Sequence, residues 1–235
     1  MSERKVIGIL GGLGPASTVM YYEHITRRYH ERFGDSSYPQ IVIYSYDFQA
    51  VIDAGYRTAG LVRDGLERLA AAGADFAVAA CNSIHVVYDE VTAAGTPLPW
   101  LSIMQPSVEA MKAAGVRRAA LLGTQVTMSG RFWTDAMAAA GIECMLASDD
   151  DRKRIDEIIF KELVFGQVEE ASRQFARACM ARLADAGTEA VILGCTELPL
   201  LIKPADCPEK LFDTAWLHAE AALEIALGER RWGSV

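Results

Sequence analysis

Short apolar runs alternate with amphipathic segments of helical length from one end of the chain to the other. The predicted strands are Val6–Leu10, Ile41–Tyr46, Phe76–Ala80, Trp100–Ile103, Ala119–Leu122, Glu143–Leu146 and Ala190–Leu193. The predicted helices are Ala16–Phe33, Thr58–Ala72, Ile84–Ala94, Pro106–Ala114, Gly130–Ala140, Asp151–Phe165, Glu169–Ala186 and Thr214–Leu227. Apolar strands that alternate with helices are typical of parallel sheets covered on both faces. The pattern therefore predicts an α/β fold.

One stretch of this pattern occurs twice. The chain reads LERLAAAGADFAVAACNS at residues 66–83 and MARLADAGTEAVILGCTE at residues 180–197. In each stretch a helix pattern leads to a glycine, and a cysteine follows eight residues later at the end of a buried strand. These cysteines are Cys81 and Cys195, and a short polar pair follows each of them.

A second correspondence supports a duplication. VIGILGGLGP at residues 6–15 runs from a strand into glycine, and RAALLGTQVT at residues 118–127 repeats that step. The offset between these two glycine turns is 112 residues, and the offset between the two cysteines is 114. The sequence therefore predicts two similar α/β halves, joined near residues 97–105.

Composition and charge exclude several classes of function. The 235 residues carry a net charge of −8, so the chain lacks the basic surface that nucleic acid or an anionic membrane would need. The apolar runs are too short to span a bilayer, and no signal peptide pattern opens the chain, so we expect a cytoplasmic protein. Five cysteines without CxxC spacing predict neither a disulfide framework nor a zinc site, and we expect no metal.

Small, polar or reactive residues follow four of the predicted strands. They are Gly11–Pro15, Cys81–Ser83, Gly123–Thr124 and Cys195–Glu197. Ligands of open parallel sheets bind beyond the carboxyl ends of the strands, where helix N-termini present free N–H groups. With two halves facing each other, we expect Cys81 and Cys195 to lie on opposite walls of one cleft.

Two opposed thiols suit one kind of chemistry. Inverting a stereocentre beside a carboxylate requires a base on one face of the α-carbon and an acid on the other, and a thiolate and a thiol can fill these roles. A helix N-terminus favours the thiolate form of a cysteine. Negative charge that develops on the substrate would meet backbone N–H groups, as in an oxyanion hole. This chemistry calls for no cofactor.

The chain resembles the aspartate/glutamate racemase family, which works without pyridoxal phosphate. The resemblance covers nearly the whole chain and is carried by GILGGLGPAST (8–18), ACNSIH (80–85), LLGTQVTM (121–128), IDEIIFKELVFGQVEEASR (155–173), GCTELPLLI (194–202) and FDTAWLHAEAAL (212–223). It implies two pseudo-symmetric α/β domains with a cleft between them. The first domain would comprise residues 1–100 and 213–235, and the second residues 101–212.

The same resemblance implies site residues, a substrate class and an assembly. Cys81 and Cys195 match the catalytic pair. The positions that would hold the carboxylate and amino groups of an amino acid are Gly12, Gly14, Asn82, Ser83, Thr124 and Thr196. The substrate would be an amino acid, either aspartate, glutamate or a related one. Many members of the family are dimers, so we expect a homodimer.

Three departures from the family pattern bear on specificity. Ser83 stands where the family usually has threonine, and it keeps the hydroxyl. The first glycine turn lacks the acidic residue of glutamate racemases, which places the chain nearer the aspartate racemase branch. The basic residue that some aspartate racemases carry after the second strand is absent; Gln49 lies in that region, and Lys161 is a possible replacement. A neutral or broader set of amino acids therefore stays open.

Other interpretations of the sequence remain alternatives. The chain could be a hydantoin racemase or a dicarboxylate isomerase of the same superfamily, or a non-catalytic protein whose lobes close on a small anion. The first glycine turn lacks the third glycine of a dinucleotide fingerprint, which argues against NAD.

Several residues near these motifs also have structural interpretations. We expect Glu197 to interact with the first turn of its helix. Whether His85 touches the site is left open. Cys144, Cys179 and Cys207 are expected to be structural, since free cysteine is among the most buried side chains.

Overall fold

The computed structural model describes residues 4–55 and 59–232. Its strands are β1 (Ile7–Gly11), β2 (Ile41–Ser45), β3 (Phe76–Ala79), β4 (Arg118–Gly123), β5 (Glu143–Met145), β6 (Ala190–Gly194) and β7 (Lys210–Asp213). Its α-helices are α1 (Pro15–Phe33), α2 (Phe48–Asp53), α3 (Ala59–Ala71), α4 (Tyr88–Ala93), α5 (Met104–Ala113), α6 (Gln125–Ser129), α7 (Arg131–Ala139), α8 (Asp149–Lys161), α9 (Glu170–Asp185), α10 (Leu198–Leu201) and α11 (Thr214–Ala226). Short 3₁₀ turns cover Ser83–Val87, Leu163–Phe165 and Pro204–Asp206. Among these described residues, no helix has both the length and the apolar character needed to cross a membrane.

The strands form two parallel sheets. One has the order β2-β1-β3 and the other the order β5-β4-β6-β7. In each sheet, the strand that comes first in the chain is central, and the next two strands flank it. All pairings of named strands are parallel, which confirms the predicted α/β class with two parallel sheets.

The chain divides into two compact units. The first comprises the described residues of Met1–Ile103 and Ala215–Val235, and the second is Met104–Thr214. In the first unit, α1 and α11 cover the sheet, and the core joins Ile7 and Phe76 of the strands to Tyr21 of α1 and Leu223 of α11. The last helix of the chain therefore belongs to the core of the unit with which the chain begins.

Local sequence explains where several helices begin. Gly14 precedes α1 with φ +113°, a backbone conformation that a side chain would strain, and Pro15 occupies the first helical position, where a missing N–H costs little. The Asp47 carboxylate accepts hydrogen bonds from the first backbone N–H groups of α2. Ser148 accepts from Asp151 N at the start of α8.

The structure differs from the predicted elements in several places. Trp100–Ile103 is not a strand: only Trp100 bridges to Ala77, because α5 begins at Met104. The edge strand β7 and the short helices α2, α6 and α10 are not among the predicted elements. The predicted helix Thr58–Ala72 begins on a residue outside the described part of the chain, and α3 occupies its remainder.

Candidate active site

Each cysteine of the predicted pair follows a strand that lies beside the central strand of its sheet. In the first unit, Leu10 of β1 pairs with Ala79 of β3. Two residues beyond this pair, Cys81 lies level with Gly12. In the second unit, Gly123 of β4 pairs with Gly194 of β6, so Cys195 comes level with Thr124. Both thiols belong to buried residues, 8% and 7% exposed respectively. The strand-end geometry is thus repeated in the two units.

In the first unit, the residues after Cys81 turn directly into the 3₁₀ segment Ser83–Val87. Asn82 and Ser83 are both buried at its start. This tight turn keeps an amide and a hydroxyl next to the thiol in sequence and in space.

His85 ties this turn to the rest of the unit. Its Nε2 accepts a hydrogen bond from Ile103 N at 3.2 Å, so Nδ1 carries the proton and donates to Cys81 O at 2.9 Å. Complete burial lowers the pKa of His85 to about 4, against weaker opposing effects of its backbone hydrogen bonds. His85 is therefore neutral near pH 7, and it positions the backbone of Cys81.

A second buried histidine continues this network. His218 of α11 donates from Nε2 to Leu101 O at 3.2 Å and accepts at Nδ1 from the Tyr21 hydroxyl at 2.8 Å. Burial, together with the neighbouring His85 ring, holds the pKa of His218 well below its usual range. The ring centroids of the two histidines are 5.9 Å apart. The network fixes the segment that supports Cys81 from both α1 and α11.

The first glycine turn requires glycine for a measurable reason. Gly12 has φ +73°, and a Cβ there would lie 2.5 Å from both Ser45 Oγ and Tyr46 O. Its N–H donates to Thr18 Oγ1 at 2.9 Å, which holds the turn against α1. Gly12 and Gly14 are both buried, and the missing side chain at Gly12 lets the turn pass close to the end of β2.

In the second unit, Cys195 is hydrogen bonded to a carboxylate two residues further along. Cys195 Sγ donates to Glu197 Oε2 at 3.0 Å, and the Thr196 hydroxyl donates to the same oxygen at 2.8 Å. Glu197 is buried, and its side chain makes no capping bond at the start of α10. Glu197 directly precedes α10, and its expected charge interaction with the first turn of that helix stays a prediction.

Thr124 caps the helix that follows β4. Its hydroxyl oxygen accepts from Thr127 N at 3.3 Å and lies 3.1 Å from Thr127 Oγ1. The next residue, Gln125, donates its backbone N–H to Asp156 Oδ1 of α8 at 2.7 Å. Burial is the main cause of a raised pKa at Asp156. These bonds fix the turn that lies beside Cys195.

The side chains of Gln49 and Lys161 are exposed. Gln49 lies in the short helix α2, and Lys161 is the last residue of α8. Gln49 Nε2 donates to Asp53 Oδ1 at 2.8 Å within α2. Lys161, whose side chain is 69% exposed, pairs with Glu157 at 3.6 Å in the last turns of α8. Each is therefore engaged with a carboxylate of its own helix.

The remaining cysteines have thiols that burial keeps protonated. Desolvation raises the pKa of Cys144 and of Cys179 to about 11. For Cys207, burial and then a hydrogen bond to Glu209 raise the pKa to about 12.

The structure groups the predicted site residues into two sets. Gly12, Cys81, Asn82 and Ser83 gather at one end of the first sheet; Thr124, Cys195 and Thr196 gather at the corresponding end of the second. The contact between Glu197 and Cys195 was not predicted, and its only sequence signal is the short spacing CxE. Within residues 4–55 and 59–232, no three His, Cys, Asp or Glu side chains come together as a metal site would require.

Comparison with known proteins points to one family. The sequence profile of Asp/Glu/hydantoin racemases matches residues 10–222. The broad specificity amino-acid racemase RacX of Bacillus subtilis is 27% identical over 161 residues, which are 66% of this chain and 69% of RacX. An aspartate racemase homologue from Pyrococcus horikoshii superposes with a TM-score of 0.82 at 33% identity, over 95% of this chain and 99% of that one. The aspartate racemase of Picrophilus torridus shares the fold, with a TM-score of 0.73 at 23% identity over 96% and 95% of the two chains.

Proposed function

Because the chain belongs to the Asp/Glu/hydantoin racemase family, we propose that it interconverts the enantiomers of an amino acid without a cofactor, using Cys81 and Cys195 as acid and base. It would then be an isomerase, with one thiol contributed by each unit. The observation that carries the proposal is the repeated strand-end geometry: each cysteine follows a strand next to the central strand of its sheet. The burial of both residues adds support, since a thiol away from bulk water acts on a bound substrate.

The proposed reaction moves two protons and needs no redox partner. One cysteine, as thiolate, takes the α-proton, and the electrons of the C–H bond pass into the substrate's carboxylate as an enolate-like system. The other cysteine, as thiol, delivers its proton to the opposite face of the α-carbon. One thiol has then gained a proton and the other has lost one, so the reverse reaction starts from this state.

Polar side chains next to the two thiols would hold the substrate. We assign the carboxylate and amino groups of the amino acid to Asn82 and Ser83 in the first unit and to Thr124 and Thr196 in the second. All four follow a strand end and so belong to turns fixed by the sheet. Gly12 and Gly14 would let the backbone approach the same groups closely.

Selection of the substrate side chain would be permissive. Gln49 offers an amide rather than a charge, and both Gln49 and Lys161 already contact a carboxylate of their own helix. A neutral partner holds a carboxylate less tightly than an arginine does, and it also accepts uncharged side chains. We therefore propose a set of polar and acidic amino acids that includes aspartate and glutamate, in keeping with the broad specificity named for RacX.

The test is a substrate panel with matched cysteine variants. Purified protein without added cofactor is incubated with single enantiomers of acidic, amide and small neutral amino acids in deuterated water. Inversion is followed by chiral chromatography and α-proton exchange by NMR. We expect inversion with at least one acidic or polar amino acid, abolished in Cys81→Ala and in Cys195→Ala.

Cys144→Ala is the matched control. Cys144 lies on β5, away from the strand ends that carry the two candidate thiols, so its loss should leave inversion unchanged. Inversion that survives removal of either Cys81 or Cys195 would contradict the two-thiol mechanism. Absence of inversion and exchange across the whole panel, with a hydantoin included, would contradict the racemase proposal itself.

A further inference from the structure

The carboxylate of Glu197 is hydrogen bonded to one of the two candidate thiols. Its Oε2 accepts from Cys195 Sγ at 3.0 Å and from the Thr196 hydroxyl at 2.8 Å. Glu197 is only 8% exposed and Cys195 7%, so water screens this pair weakly. The racemase scheme by itself gives this buried acid no task.

We propose that Glu197 holds Cys195 in the protonated thiol form, which makes Cys195 the proton donor of the resting enzyme and Cys81 its proton acceptor. This inference rests on the proposed function, because it assigns the two roles of the two-thiol scheme. An ionised carboxylate can only accept hydrogen bonds, so the bond to Cys195 exists only while that thiol keeps its proton. Loss of the proton would set a thiolate against a carboxylate, and like charges this close disfavour ionisation.

The Thr196 hydroxyl contributes by fixing the direction of this carboxylate. Because it donates to the same oxygen as the thiol, Oε2 is held at the sulfur atom instead of turning towards solvent. Glu197 acts on the substrate only through Cys195 and is therefore a positioning residue.

The same chain contains an independent example of this arrangement. Cys207 and Glu209 have the same CxE spacing, and Cys207 Sγ donates to Glu209 Oε2 at the same 3.0 Å. There, burial first and then the hydrogen bond to the carboxylate raise the pKa of the thiol to about 12. The Cys207–Glu209 pair shows the direction of the effect: a carboxylate hydrogen bonded to a buried thiol favours the protonated sulfur.

Two further carboxylates belong to elements at this end of the second sheet. Asp213 ends β7 and pairs in register with Leu193, two residues before Cys195. Asp156 of α8 holds Gln125 N, directly after Thr124. Neither is a cation, so neither offsets the negative charge of Glu197 beside the thiol.

The assignment has a kinetic consequence. Two enantiomers have equal free energy, so kcat/KM must be the same in both directions whatever the enzyme does. If the resting enzyme is held in one protonation state, the enantiomer that presents its α-proton to Cys81 binds that state directly. For this enantiomer, kcat and KM should both be lower than for its mirror image, by the same factor.

The experiment compares Glu197→Gln with wild type. Thiolate formation at Cys195 is measured by ultraviolet absorbance, as the difference between each protein and its Cys195→Ala counterpart across a pH series. In Glu197→Gln the amide can still accept the thiol hydrogen bond without a charge, so the midpoint should move to lower pH by about one unit or more. Glu209→Gln is the matched control: it removes the equivalent carboxylate beside Cys207 and should leave the Cys195 titration unchanged.

Enantiomer kinetics provide the second measurement. The difference in kcat between the two enantiomers should shrink in Glu197→Gln, with an equal change in KM. An unmoved or raised Cys195 midpoint would overturn the inference, even in a fully active racemase. A purely structural role would lower kcat equally for both enantiomers and leave their ratio unchanged, which would also overturn it. A lowered midpoint in a protein that racemises nothing would support the thiol assignment of Cys195 and contradict the proposed function.

Discussion

Replacing Gly123 by alanine should both destabilise the second unit and slow the reaction. Gly123 is the last residue of β4 and pairs with Gly194 directly before Cys195. A Cβ at position 123 would lie 2.8 Å from Gly194 O and 3.1 Å from Thr127 Cγ2. The first of these is a backbone atom of the neighbouring strand, so it cannot be relieved by a side-chain rotation.

The size of the effect follows from these contacts. Ordinary van der Waals contact begins near 3.4 Å, so the ends of β4 and β6 must separate by roughly half an ångström. Overpacking of this kind costs about 1–3 kcal/mol of unfolding free energy. A displacement of 1 Å at the reacting groups can cost about 10²-fold in rate, so half of it should lower kcat about tenfold.

The assay is urea unfolding followed by circular dichroism, together with kcat on the best substrate of the panel. Gly60→Ala is the matched control, because position 60 lies in α3 with an ordinary φ and nothing within 4 Å of the added Cβ. This control should be stabilised by up to about 1 kcal/mol, since alanine is the better helix former, with kcat unchanged. A Gly123→Ala protein with the urea midpoint and kcat of wild type would refute the reasoning.

Two further predictions concern the first unit. Burial opposes ionisation of Glu220 in α11, but hydrogen bonds from His24 at 2.9 Å and Arg28 at 3.1 Å hold the pKa of Glu220 below its usual value. Glu220→Gln should therefore cost about 2 kcal/mol of unfolding free energy near pH 7, and progressively less as the pH falls below 4.5. The control Asp64→Asn, at an exposed residue, should not move the urea midpoint. The buried His85 has a pKa of about 4 in the folded protein and 6.5 in the unfolded chain, so its contribution to the unfolding free energy is complete above pH 6.5, and about 3 kcal/mol of it is lost by pH 4. Between pH 6.5 and pH 4, the unfolding free energy of His85→Gln should therefore fall less steeply than that of wild type. Equal slopes would contradict a neutral His85.

The parallel sheets could be predicted because their fully buried strands carry a strong local signal. The apolar runs that became β3 and β6 are continuous and follow a glycine turn, so both cysteines were correctly expected at strand ends. The edge strand β7 carries only two apolar residues in KLFD, and it is a strand because β6 pairs with it. Tertiary pairing of this kind leaves no pattern in the local sequence.

The predictable part of the site was its backbone placement, and the unpredictable part was its side-chain contacts. The spacing of Glu197 after Cys195 is compatible with either a first-turn interaction or a bond to sulfur, and only the side-chain conformation decides between them. The role of His85 depends on Ile103, eighteen residues away, which donates to its second nitrogen. Contacts between residues so far apart in sequence are set by packing and not by local propensity.

The discontinuous first unit has a consequence for how the chain acquires its structure during synthesis. Ala219 and Leu223 of α11 fill the same core as Ile7 and Tyr21, so that core stays open until α11 has left the ribosome. The second unit is one uninterrupted segment, Met104–Thr214, and its residues all emerge earlier. The half of the protein that is translated first is therefore the half that must wait to complete its folding.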